Sequence, residues 1–116
     1  MTHLVSTTFA GAIVALMIST IPANAHQPGE IKCNYARSTS AHAVCASKRL
    51  SRVDRRMNAL FDDARDEVQT RGQYINLHNS QRDWAQRRDR CGAKRLCIWL
   101  RTKQRIRELR RFIRNI

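Results

Sequence analysis

Gln81, Trp84, Arg88 and Cys91 recur at steps of three, four and three, so on a helix they share one face. That face carries a tryptophan, two polar side chains and a cysteine, and a second cysteine follows at Cys97. An ordinary bundle helix would place Leu or Ile at most such positions. The stretch 81–97 therefore constrains the fold in three ways: it is helical, it ends where a disulfide can form, and it turns polar groups inward.

Similar steps recur on both sides of it. Ala46, Leu50, Val53, Met57, Leu60 and Ala64 alternate steps of four and three, with Phe61 widening the stripe. They predict a first helix from about His42 to about Gln69, with Ser38 or Ser40 as its N-cap. Arg71-Gly72 is the natural stop, glycine supplying a left-handed cap. The second helix carries Tyr74, Leu77, Gln81, Trp84, Arg88 and Cys91 and ends at Gly92. The third carries Trp99, Thr102, Ile106, Leu109, Ile113 and Ile116, with Leu96 and Leu100 alongside. No alternating pattern of useful length indicates a strand. The expected fold is all-α, a small three-helix antiparallel bundle stapled by two disulfides.

The front of the chain has a different character. Phe9 to Ile21 is uncharged and largely apolar, and Ala23-Asn24-Ala25 is an A-x-A cleavage pattern. Residues 1–25 thus read as a cleaved secretory signal peptide, too short in its apolar run to span about 30 Å of hydrocarbon. Residues 26–41 form an N-terminal leader, and residues 42–116 the helical domain. No transmembrane segment is expected in the mature chain, which would be periplasmic or secreted. In an oxidising compartment the four cysteines Cys33, Cys45, Cys91 and Cys97 read as two disulfides. Antiparallel neighbours gather all four at one end of the bundle, where each of the three pairings is open. Cys33–Cys45 with Cys91–Cys97 is favoured because both close short loops. There is no C-x-x-C, and His42 and His78 lack ligand spacing, so neither a metal nor a cofactor is expected.

Cys45, then Asp54 and Asn58 within VDRRMNALF, then Q-x-x-W-x-x-x-R-D-x-C at 81–91, then Cys97 and RIRELR resemble the LprI-like lysozyme-inhibitor family of small exported bacterial helical domains. The likeness spans nearly all of the mature chain, and its most specific part is the set Gln81, Trp84, Arg88, Asp89 and Cys91. It implies a disulfide-stapled domain of the cell envelope and, as activity, inhibition of a lysozyme-type muramidase. The chain departs from lipoprotein members in having no cysteine at the cleavage site.

Two constellations stand out. Asp54, Asn58, Gln81, Trp84, Arg88 and Asp89 read as a structural network, with Asp54 and Asn58 satisfying Gln81 and Arg88 and with Asp54 near Arg82. Such a network fixes register more than it adds stability. The second constellation is charge. All Lys, Arg, Asp and Glu lie beyond residue 25, so the net charge of +13 falls on residues 26–116. With the third helix parallel to the first, Asp62, Asp63, Asp66 and Glu67 lie beside Arg110 to Arg114. Those four acids cannot also neutralise Lys48, Arg49, Arg52, Arg55 and Arg56, which leaves a surplus of positive charge at the cysteine end. Arg87, Arg90, Lys94, Arg95, Arg101 and Arg105 are the candidates for holding an anion.

The function expected is non-catalytic binding, by a secreted or envelope protein resembling lysozyme inhibitors. The alternative is a cationic module for anionic envelope polymers or a membrane surface. The partners are accordingly a muramidase or an anionic envelope polymer. No specific nucleic acid is expected, since few aromatics flank the basic residues. A membrane-lytic use of the last helix conflicts with the need for its apolar stripe to close the bundle. No paired-carboxylate, Ser-His-Asp or phosphate-loop pattern indicates an enzyme.

Overall fold

The structure, a computed structural model, describes residues 11–13 and 27–116. The signal peptide expected over residues 1–25 lies, apart from 11–13, outside the described residues. A 3-10 turn at Cys33–Tyr35 leads into four helices: α1 (Thr39–Cys45), α2 (Lys48–Glu67), α3 (Arg71–Asp89) and α4 (Arg95–Arg114). Among the described residues there is no strand.

Four helices replace the expected three because the first is broken after Cys45. Ser47 is extended (φ −122°, ψ 118°), and its hydroxyl accepts from the Leu50 amide at 3.2 Å. It is an N-cap inside an otherwise continuous apolar pattern. Ser51 Oγ, donating to the Val44 carbonyl at 2.7 Å, ties the two segments across the break. Ala46, expected in the apolar stripe, caps α1 and is exposed. Ser38 caps the start of α1, accepting from the Ala41 amide at 3.0 Å. Gly72 is not the stop of a helix. Val68 leaves the helical conformation, and Thr70 and Gln73 form a reciprocal capping box that starts α3 with Gly72 inside its first turn.

Contacts between elements set the directions. Met57 meets Gln81 and Phe61 meets His78, so α2 and α3 run antiparallel. Trp84 Nε1 donates to the Arg101 carbonyl at 3.1 Å while Gln81 meets Arg105, so α3 and α4 are antiparallel too. The most extensive packing is between α2 and α4, which are parallel. Met57, Phe61, Leu77, Trp84, Ile106 and Leu109 form the centre of the core, each essentially without exposed surface. A smaller cluster of Val44, Leu50, Cys91 and Ile98 closes the cysteine end. There Cys33 is bonded to Cys45 and Cys91 to Cys97, each pair with Cα atoms 5.6 Å apart. The pairing favoured by loop length is the one formed.

Two buried guanidinium groups cross this core. Arg105, 3% exposed, donates from Nε to Gln81 Oε1 at 2.8 Å, from Nη2 to Ser80 Oγ at 3.0 Å, and pairs with Glu108 at 3.1 Å. Gln81 uses its amide on Met57 Sδ at 3.2 Å. Gln81 is therefore satisfied by Arg105 of α4 and a thioether of α2, not by an acid or amide of the first helix as expected. Arg88, also 3% exposed, donates from Nη1 to the Gly29 carbonyl at 2.8 Å and pairs with Asp89 at 3.1 Å, over the Trp84 ring at 4.9 Å. Asp89 in turn accepts from Ser40 Oγ at 2.6 Å, which fastens α1.

Asp54 is buried, and Asn58 donates to it at 3.2 Å. Burial holds its carboxyl above the usual value of 3.8, opposed in part by the charge of Arg88 and the Asn58 bond. Arg82, expected beside it, is exposed and bonds Asn79 at 3.4 Å. The backbone at Gly29 has φ 75°, and a Cβ there would collide with the Ala85 methyl, so only glycine lets the leader lie this close to α3.

Removing Arg105 strands the Gln81 carbonyl in the core, a loss of about 1–3 kcal/mol. Arg105→Met is expected to lower Tm by roughly 4–8 °C per kcal/mol lost, read by circular dichroism; an unchanged Tm would overturn the role given to this pair. Asp54 supplies a pH test. The folded state binds its proton more tightly than the unfolded chain, so stability from this group is fully present below the unfolded value and declines as pH rises through the window above 3.8. Asp54→Asn is expected to gain in Tm relative to the wild type as pH is raised through that window. A difference independent of pH would contradict the burial argument.

Candidate anion-binding face

Parallel packing of α2 on α4 brings together side chains far apart in sequence. On α2, Lys48, Arg52 and Arg56 stand four residues apart, so their side chains line one edge of the helix. On α4, Trp99 and Lys103 are likewise four apart. With Arg49 they enclose a groove of about 510 Å³ whose floor is the buried Val53. The Arg49 guanidinium lies 4.2 Å from the centre of the Trp99 ring and the Lys103 ammonium 5.5 Å from it. Cations held against an indole in this way keep their charge while losing side-chain freedom. The groove thus presents five positive groups in a partly fixed arrangement.

No Asp, Glu, His or Cys lines this groove. It holds neither a nucleophile nor an acid–base pair, and its chemistry is attraction of negative charge. Arg49 and Trp99 also border a second cleft of about 430 Å³ towards the cysteine end, walled by Leu50, Leu96 and Leu100 with Arg95 at its rim. Among the described residues no group of three or more His, Cys, Asp or Glu is placed to hold a metal, and no helix is long and apolar enough to cross a membrane.

None of the six residues singled out as anion candidates lines the groove. Arg90, Lys94, Arg95 and Arg101 are exposed and Arg87 is half-buried, whereas Arg105 is a core residue and is withdrawn from the surface set. The network residues fall into two groups: Gln81 joins Arg105, while Trp84 and Asp89 contact the Arg88 guanidinium and Asp54, bonded by Asn58, acts on it by charge. The pairing expected between the α2 acids and the end of α4 is not made. Arg65 takes Asp62 at 3.3 Å and Asp66 at 3.8 Å, and among the described residues no ion pair joins those acids to Arg110, Arg111 or Arg114. Asp62 instead accepts from Gln27 of the leader at 2.6 Å.

The basic set on α2 was legible as surplus charge, but its convergence on Trp99 was not, because the indole fits the core stripe equally well. The available signal was the spacing of four shared by Lys48, Arg52 and Arg56 and by Trp99 and Lys103.

A family model described as Lysozyme inhibitor LprI matches residues 32–109. No curated protein and no solved structure matches the chain. Both disulfides, the Trp84–Arg88 face and the groove fall within the matched residues, and the two bridges belong to an oxidising compartment outside the cytoplasm. The chain belongs to the LprI lysozyme-inhibitor family.

Proposed function

We propose that this chain is a non-catalytic binding protein, exported behind a signal peptide cleaved after Ala25, that restrains lysozyme-type muramidases by covering the acidic wall polymer they attack. Family membership supports the muramidase as the process affected. The Trp99 groove, with five cations and no carboxylate among its lining residues, is the observation that carries the manner. Lysozymes are themselves basic, and like charges facing one another slow encounter and cost affinity. A cationic groove suits the other party to that reaction, a polymer bearing carboxylates along its length. The row Lys48, Arg52, Arg56 supplies a positive charge about every 6 Å along α2, since each step of four residues rises by about that much.

Two measurements test this. The oxidised protein at micromolar concentration is expected to slow lysozyme clearing of a cell-wall suspension, and added wall polymer, not added enzyme, should relieve the effect. Arg52→Glu with Lys103→Glu, both away from the buried networks, is expected to weaken inhibition about tenfold or more through reversed attraction. Full inhibition by this variant would remove the groove from the account, and no inhibition of several lysozymes would remove the function. Binding to isolated wall should also disappear by about 0.5 M NaCl, where screening falls to about 4 Å. Binding that survives such salt, and that appears with the enzyme alone, would point to direct contact with the muramidase.

A further inference from the structure

We infer that the cysteine end of the molecule is a docking ridge for the surface of an anionic phospholipid bilayer. This goes beyond the wall-polymer reading, because it rests on Leu96 and Leu100, two exposed side chains which that reading does not use. Leu96 is 70% exposed and Leu100 57% exposed, although the apolar stripe of α4 was expected to be consumed in closing the bundle. Ile98, Ile106 and Leu109 do that work, each about 1% exposed. Leu96, Trp99 and Leu100 stand at i, i+3 and i+4 on α4, so they form one continuous outer ridge.

The ridge is apolar at its crest and cationic at its margins. Arg49 and Arg95 border the cleft against which Leu96, Trp99 and Leu100 stand, and Lys103 follows one turn along. A bilayer interface offers both things such a surface lacks in water: a hydrocarbon boundary for leucine and a layer of phosphates for arginine and lysine. The indole of Trp99, half-buried against the core and flanked by Arg49 and Lys103, is the amphipathic ring type enriched at membrane interfaces. A dissolved polyanion would answer the arginines and leave both leucines in water. The ridge is also rigid. The Cys91–Cys97 bridge closes the loop that contains Leu96, and Cys33–Cys45 fixes the helix that precedes α2. Docking therefore orders little that is not already ordered.

The two tryptophans provide a direct readout. Trp84 is 1% exposed and serves as an unchanging background, whereas Trp99 stands in the ridge. The oxidised mature chain, residues 26–116, which holds the four described helices and both disulfides, is titrated with vesicles of phosphatidylglycerol and phosphatidylcholine, or of phosphatidylcholine alone. At about 0.15 M NaCl binding is expected with the anionic vesicles only, with a blue shift of the Trp99 emission. Leu96→Ser with Leu100→Ser alters exposed positions and should leave Tm intact while weakening vesicle binding about tenfold. Arg52→Glu, at a groove residue outside the ridge, tests the groove separately. Three results would each overturn the ridge: no binding to anionic vesicles, binding that the serine variant retains in full, or binding with no shift of Trp99. Displacement of the protein from vesicles by soluble alginate, with wild type and serine variant equally affected, would likewise assign the surface to acidic glycan instead of lipid.

Discussion

Arg88 is a permanent positive charge beneath the surface, and four separate segments are arranged to accommodate it. The leader offers the Gly29 carbonyl, α3 offers Asp89 and the face of Trp84, α2 offers the field of Asp54, and α1 is held through Ser40 on the same Asp89 oxygen that receives Arg88. A guanidinium cannot shed its proton to escape a poor site, so its donors must be met by groups in set directions. That requirement fixes where the leader lies and how far α1 swings from α2. Apolar packing alone would leave both choices loosely specified. Arg105 performs the corresponding task between α3 and α4, where Gln81 accepts and Glu108 neutralises. The pair of cations turns a small helical core into one with a unique register.

Much of this was legible from spacing. Alternating steps of three and four located α2, α3 and α4, because each helix must bury one stripe. Short-loop closure singled out the two cysteine pairs that form. The break after Cys45 was not legible, because Ser47 interrupts an apolar pattern that continues in phase on either side. Only its extended backbone and bond to the Leu50 amide mark it as a cap. Gly72 misled for the converse reason: a glycine near a helix end reads as a terminator, yet the capping box of Thr70 and Gln73 starts a helix across it. Arg105 was read as surface because it stands among seven basic residues from Arg101 to Arg114 of α4. Period alone would have separated it, since Arg105 shares a face with Ile98, Thr102 and Leu109, all buried.

The groove and the ridge share a cause. Parallel alignment of α2 with α4 sets the α2 cations opposite Trp99 and Lys103, a neighbourhood that no local sequence window contains. The acids of α2 lie farther along, where Arg65 and the leader occupy Asp62 and Asp66 takes the remaining bond to Arg65. Charge is thus segregated along α2: basic in its first half, acidic in its last.

Segregation of this kind works against the fold. Like charges at i and i+4 each cost a few tenths of a kcal/mol, and basic groups at the start of a helix face the positive end of its dipole. Both penalties fall on the start of α2, with Lys48, Arg49 and Arg52, and the second falls on the start of α4, with Arg95. Those same turns are where the covalent bridges sit: Cys33–Cys45 just ahead of α2, Cys91–Cys97 across the start of α4. A short-loop disulfide contributes about 2–4 kcal/mol, enough to offset several such repulsions at once. The bridges are placed where electrostatics would otherwise loosen the helices, at the end closed by the smaller apolar cluster. A chain selected for stability alone would have removed those charges more simply. Covalent bridges instead of countercharges hold that cationic end together, which is the physical ground for the proposal that it meets an anionic partner.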